Sequence, residues 1–286
     1  MNHNWNISFA LDRVEFKEEI PNFFNSRKNL ECTKDTFEYF NLDTGVAFTY
    51  NFFPEDNVVF LSIDLKTSNS NTIREAINEI ADFTNYFKLR ITYPENVSRD
   101  ETFKAKRFIQ KWHRVKRDYL DFHYDYVYHA VPSEKIKNAW YWNYSCQWTS
   151  YFLKDLFEIP KINFFNHYGK AKTIAKVNLN KWSAVPEADY YHLQLTQNKW
   201  FFRTAGELTE RVVCRKDMDD IFLKCRFLPF EKTPFYKLRP EDFRTQIKEL
   251  FSHSEDKKFN TIESSKIIDK EIYEGHSIKK LEESTY

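Results

Sequence analysis

Glycine is nearly missing from this chain. Its 286 residues include four, Gly45, Gly169, Gly206 and Gly275, far apart from one another. Loops that cradle phosphate need several glycines close together, because the backbone must approach the ligand and adopt positive φ. The spacing argues against P-loop NTPases, Gly-rich kinase loops and dinucleotide fingerprints. Cysteine is equally sparse: Cys32, Cys146, Cys214 and Cys225 form no CxxC pair, which argues against a zinc knuckle. Net charge is close to absent as well, at +1, so no global field draws nucleic acid or membrane and any such attraction must be local. No apolar run approaches the roughly 18 residues of a membrane span. The start, Met1 to Trp5, has neither a basic region nor an apolar stretch of the signal-peptide kind. The expectation is a cytoplasmic protein with free thiols and no membrane partner.

Aromatic side chains are what the chain has in surplus: Phe, Tyr and Trp make up 18% of it. Rings in that number fill a core and cover a binding face. Abundant Asn, Lys, Phe, Tyr and Ile with little Ala or Gly is the bias of an AT-rich bacterial genome.

Periodicity predicts an α+β protein in three parts. Trp5, Ile7, Phe9 and Leu11 alternate with polar residues, as do Val46, Phe48, Tyr50 and Phe52, and then Val59, Leu61, Ile63 and Leu65. Each reads as a half-buried strand. Gly45 ends a turn, Pro54 to Asn57 make a hairpin loop, and Pro21 argues against one continuous helix over 15–29. Thr72 with Glu75 fits a capping box, followed by an apolar stripe through Ile73, Ala76, Ile77, Ile80 and Phe87. The expected first domain, 1–97, is a mostly antiparallel sheet with this long helix packed on it. A second, 98–239, holds a helical segment (103–117 and 133–157) and a second small antiparallel sheet. Charge dominates 240–286, which reads as a mobile tail.

Four constellations carry candidate chemistry. Asp43, Asp64 and Lys66 lie on adjacent strands and could hold Mg²⁺ for phosphodiester attack, in an element order like that of the restriction-endonuclease core. The usual Pro-Asp is missing, and the solvated strand-end reading of these three competes with it. Lys104, Lys106, Arg107, Lys111, Arg114, Lys116 and Arg117 are interleaved with Phe103, Phe108 and Trp112. That pattern is an amphipathic helix with a cationic face for a phosphate backbone or an acidic protein, or simply a solvated surface. Asp121, His123 and Asp125 offer metal ligands if this segment is a strand, while on a helix Asp125 would face His129; a polar face behind aromatics is the alternative. Trp140, Tyr144 and Trp148 stack along one helix side, with Asn143 and Gln147 placed to bond a backbone edge. They serve a core, or a protein-binding patch.

The pieces Asn41-Leu-Asp-Thr-Gly45-Val-Ala-Phe48, Trp140-Tyr-Trp142-Asn143 and Val185-Pro186 with Asp189-Tyr190 resemble, in order, a group of uncharacterised bacterial α/β proteins. The resemblance spans about 36–200, implies a two-part architecture and transfers no catalytic residue. Taken together, these residues point to a non-catalytic protein-binding module, an immunity-type or adaptor protein of a bacterial toxin system with no cofactor. The binding set is Lys104, Arg107, Lys111, Trp112, Arg114, Trp140, Tyr144 and Trp148. The alternative is a Mg²⁺-dependent nuclease using Asp43, Asp64 and Lys66.

Overall fold

The computed structural model describes residues 3–11, 16–96, 99–123, 129–153, 158–179, 183–196, 208–224, 235–238 and 260–273. It is α+β, as the alternation and the helical stripe predict. The chain forms two compact units, one of 1–137 with 263–286 and the other of 138–262, so the second is inserted into the sequence of the first.

The first unit is built on seven strands: β1 (Asn4–Ala10), β2 (Leu30–Thr33), β3 (Thr36–Asn41), β4 (Val46–Phe53), β5 (Val58–Asp64), β6 (Ile91–Thr92) and β7 (Asp100–Glu101). They lie in the order β2-β3-β4-β5-β1-β6-β7, with every pair antiparallel. Because side chains alternate across a strand, Trp5, Ile7 and Phe9 of β1 share one face with Phe48 and Tyr50 of β4 and Leu61 and Ile63 of β5. All seven are buried. Three helices cover that face: α1 (Phe16–Asn25), α2 (Ser70–Phe87) and α3 (Ala105–Phe122). Rings join the layers, with Phe24 stacked on Phe37 at 4.4 Å, Phe9 edge-on to Phe83 at 5.3 Å and Trp5 against Phe108 at 5.0 Å.

Several boundaries differ from the sequence expectation, each for a packing reason. Helix α1 runs through Pro21. The proline forfeits one backbone bond, and burial of Ile20 and Phe24 on either side offsets that loss. The capping box of α2 lies one turn earlier than Thr72 and Glu75. Asn69 arrives extended (φ −135°), its Oδ1 accepts from the backbone N–H of Asn71 and Thr72, and Thr72 Oγ1 accepts from the Asn69 N–H. Residues on both sides of the expected 97/98 boundary belong to the first compact unit. Helix α3 buries Phe108, Trp112, Tyr119 and Leu120 in the same core as Trp5 and Phe83.

Of the expected 240–286 tail, residues 263–273 contribute to this unit, while 240–259 and 274–286 lie outside the described residues. Strand β16 (Ile267–Asp269) pairs in parallel with β8 (His129–Val131), and the helical turn Lys270–Tyr273 puts Ile272 and Tyr273 into the core. Buried Asp269 accepts from Ser133 Oγ and from the Glu271 N–H at 3.2 Å. Desolvation holds its carboxyl above the usual range. Just before β16, Ser264 Oγ donates to the carbonyl of Gly45 at 2.8 Å.

In the second unit a five-stranded sheet runs β13 (Leu208–Cys214), β12 (Tyr190–Thr196), β10 (Lys170–Asn178), β9 (Ile162–His167) and β15 (Thr261–Ile262). The sheet is mixed, because β10 and β12 are parallel. A crossover through β11 (Ser183–Pro186), which pairs with β14 (Phe235–Leu238), makes that possible. Asp189 anchors the return: its Oδ2 accepts from both the N–H and the hydroxyl of Thr173 at 3.0 Å. Gly169 follows Tyr168 in the β9–β10 hairpin, both at positive φ. Helix α4 (Ser133–Leu153) leads into this unit and α5 (Arg215–Lys224) follows β13. Among the described residues no helix is long and apolar enough to cross a membrane.

Candidate functional site

Asp43 and Lys66 lie in turns, and Asp64 is the last residue of β5, its carboxylate holding the turn that follows. Asp64 Oδ1 accepts from the Lys66 N–H at 2.8 Å and Oδ2 from Thr67 Oγ1 at 3.2 Å. Asp43 lies in the β3–β4 turn, its N–H held by Asn41 Oδ1 at 3.0 Å. Among the described residues no three His, Cys, Asp or Glu side chains come together as a metal-holding group.

The residue that organises the 64–69 turn is Lys116, which the charge run had placed on a solvated face. It is fully buried, donating from Nζ to the carbonyls of Leu65 and Lys66. Beside it, Trp112 donates from Nε1 to Ser68 Oγ at 3.2 Å. Burial pushes the Lys116 ammonium down to about 7, and the Asp64 charge opposes this only in part. Tyr119, one turn on, meets His3 Nδ1 through its hydroxyl at 3.0 Å, and His3 and His123 rings lie 4.9 Å apart. His129 is on β8, while Asp125 lies outside the described residues.

Two more members of the expected binding set are committed elsewhere on α3. Arg107 pairs with Glu101 at 2.7 Å, and Lys111 lies over the Tyr93 ring at 4.2 Å, 3.6 Å from Glu95. Trp112 is core. Lys104, Lys106, Arg114 and Arg117 are exposed, but Asp118 and Asp121 share their helix face toward its C-terminal end. On α4, Trp140 is buried with the half-buried Tyr144 stacked on it at 4.8 Å, while Tyr141 is exposed. The Trp148 and Gln147 side chains lie outside the described residues. Asn143 does bond a backbone edge, donating to the Ile162 carbonyl and accepting from the Ile162 N–H, both at 2.8 Å.

Sequence reasoning passed over a buried carboxylate. Glu75, on the core side of α2, accepts from Tyr39 Oη at 2.8 Å, Asn41 Nδ2 at 2.8 Å and Thr44 Oγ1 at 2.6 Å. Three donors from β3 and its turn converge there, so the network pins the Asn41–Gly45 turn to the helix. Replacing Glu75 with Gln turns one acceptor toward these donors into a donor. We expect a loss of about 1–3 kcal/mol in unfolding free energy, read as a lower urea midpoint at pH 7.

What remains open is the other side of the first-unit sheet. Its outward positions are Asn4, Asn6, Ser8 and Ala10 on β1, Glu31 and Thr33 on β2, Thr36, Glu38 and Phe40 on β3, Ala47, Thr49, Asn51 and Phe53 on β4, and Val58, Phe60, Ser62 and Asp64 on β5. Phe40 is 50% exposed and Phe53 45%, and Phe53 packs edge-on to Phe60 at 5.6 Å. Single exposed rings are ordinary, and Tyr86, Phe122, Tyr141 and Tyr168 are more exposed still; what marks this face is that Phe53 and Phe60 adjoin there as an apolar patch among polar groups. No Lys, Arg or His occupies an outward position of β1 to β5. Glu31 and Glu38 stand directly opposite each other, with no cationic partner among the described residues. Alternation in the sequence carries this face, although the surplus of rings had pointed attention to α3 and α4. Comparisons of the chain with protein-family models, with curated proteins and with solved structures find no match.

Proposed function

We propose that the chain is a cytoplasmic, non-catalytic protein-binding module, of the immunity or adaptor kind in a bacterial toxin system. It engages another protein through the outer face of the β1–β5 sheet. The observation that carries this is two rings, Phe40 and Phe53, held half in water toward opposite ends of a face of mixed polar and apolar residues whose reverse side is packed. Interfaces draw their energy from a few aromatic anchors ringed by polar groups, and this face has that composition. The reading needs no cofactor. It replaces the expected α3 and α4 binding set with residues on β3, β4 and β5.

The test is recovery of a partner from the source cells on tagged full-length chain. We expect one stoichiometric protein, reduced at least about tenfold on the Phe40→Ser/Phe53→Ser double variant and retained on Lys104→Glu/Arg114→Glu. A partner held equally by both variants would overturn the assignment to this face. Mg²⁺-dependent cleavage of nucleic acid that disappears in Asp64→Asn would replace the reading with the nuclease.

A further inference from the structure

The open sheet face runs out to an unprotected edge. β2 is the terminal strand and pairs only with β3. Its residues Glu31, Cys32 and Thr33 are exposed. The Phe40 N–H donates to the Asn29 carbonyl at 2.8 Å, which fixes the register. In an antiparallel ladder the residues that bond the partner strand recur every second position. Asn29, Glu31 and Thr33 therefore turn their backbone groups toward β3, and Leu30 and Cys32 present theirs to the outside. An edge of this kind accepts an added strand.

The charge on the adjoining face decides what strand fits. A strand laid along β2 has every second side chain on the outer face, beside Glu31 and within reach of Glu38. Those two carboxylates already oppose each other across β2 and β3, an arrangement that costs free energy until a cation enters. No Lys, Arg or His occupies the outward positions of β1 to β5 to supply one. A second copy of this chain is a poor occupant, because β2 carries no Lys or Arg and pairing it with itself brings a second Glu31 toward the acids already there. Phe40 follows Glu38 on the same face and is open to the aliphatic stem of a Lys or Arg.

We propose that the β2 edge takes an extended segment of another protein, added as an eighth strand, with Lys or Arg at alternating positions seated on Glu31 and Glu38. This deepens the protein-binding reading above and rests on it, since it names the chemistry of the partner at the margin of the same face.

The probe is an acetylated, amidated peptide of alternating Lys and Val, carrying a fluorophore and titrated with the full chain at low salt. Saturable binding is expected, weakened at least about tenfold by Glu31→Lys/Glu38→Lys and by Glu in place of Lys in the peptide. Cys32→Pro removes an outward N–H at a strand edge, where proline is tolerated, and is expected to abolish binding while leaving far-UV circular dichroism unchanged. N-methylation of the peptide at alternate residues checks the same backbone bonds without altering the protein. Binding that survives Cys32→Pro and N-methylation would overturn the added strand in favour of simple charge attraction. Failure of the peptide to bind, with Glu31→Thr/Glu38→Thr causing self-association, would show that the two acids only guard the edge. If the partner recovered from cells is lost with the Phe40 and Phe53 changes but kept with Cys32→Pro, the binding face stands and the strand addition falls.

Discussion

Replacing Gly45 with Val lowers the unfolding free energy by about 2–4 kcal/mol, summing a left-handed backbone at a branched residue with overpacking. Gly45 sits at φ +68°, a region that L residues with a Cβ occupy at a cost. A Cβ built there would stand 2.2 Å from Ser264 Oγ and 2.9 Å from Ser264 Cβ. The obstacle is a segment that arrives from more than two hundred positions along the chain, so the substitution strikes two things at once. It strains the β3–β4 turn and displaces the strand that carries Ile267 to Asp269. The Ser264→Gly background separates them. In a double-mutant cycle it relieves the contact with Ser264 and leaves the φ penalty, so Gly45→Val is expected to cost less there than in the native background. Equal cost in both backgrounds would mean that 263–273 does not pack over this turn in solution. Limited proteolysis provides a second readout, with cleavage between 260 and 273 accelerating in Gly45→Val alone.

Native stability rises with pH above neutrality, and Lys116→Met removes the rise. The folded pKa of Lys116 is depressed to about 7 from an ordinary 10.5, so between those values the unfolded chain binds more protons than the native one. Stability therefore increases with pH across that window, by up to ~1.4 kcal/mol per pH unit for one group. Below about pH 7 both states hold the proton and the contribution is flat. Buried phenols act in the opposite sense at the upper end. Desolvation raises the pKa of Tyr39, Tyr50 and Tyr93, so their contribution is lost as pH climbs through the phenol range. The window that isolates Lys116 is thus about pH 7 to 9.5. Urea midpoints across it should climb in the native chain and stay level in Lys116→Met. A climb that persists in the variant would assign it to another group.

Much of the first unit was legible because its strands are amphipathic on a period of two. Trp5, Ile7 and Phe9, or Phe48, Tyr50 and Phe52, name their own buried face, and the apolar stripe from Ile73 to Phe87 names that of α2. The same alternation held the candidate site, since the residues opposite those faces are the ones that meet water. Trp112, Trp140 and Tyr144 drew attention as aromatic anchors, yet a ring at helical spacing beside other rings packs inward. Phe40 and Phe53, two of the exposed rings, each follow a buried ring (Tyr39 and Phe52) and look ordinary in a sequence.

Charged residues were the least readable, because burial and not composition decides what a charge does. Lys116 is one of seven cations in α3 and its near surroundings; its spacing from Phe108 and Trp112 puts it on the apolar stripe, but the charge count hid it among the others. Its place under the 65–66 carbonyls depends on where β5 ends relative to α3. Glu75 reads as a helix cap by spacing, but Asn69 leaves the preceding turn in the extended conformation a cap requires, which frees Glu75 to collect three donors. Likewise Ile267, Ile268, Ile272 and Tyr273 are too few apolar residues to announce an element within a charged stretch.

The sequence by itself determined the α+β class, the inward faces of β1, β4, β5 and α2, and the positive-φ turn at Gly45, because these follow from side-chain period and backbone sterics over a few residues. Tertiary structure alone decided the insertion of 138–262 within the first unit, the partners of Lys116 and Glu75, the parallel β10–β12 pair and the exposed edge of β2. Each of those depends on partners distant in the chain, and local propensity has no access to them.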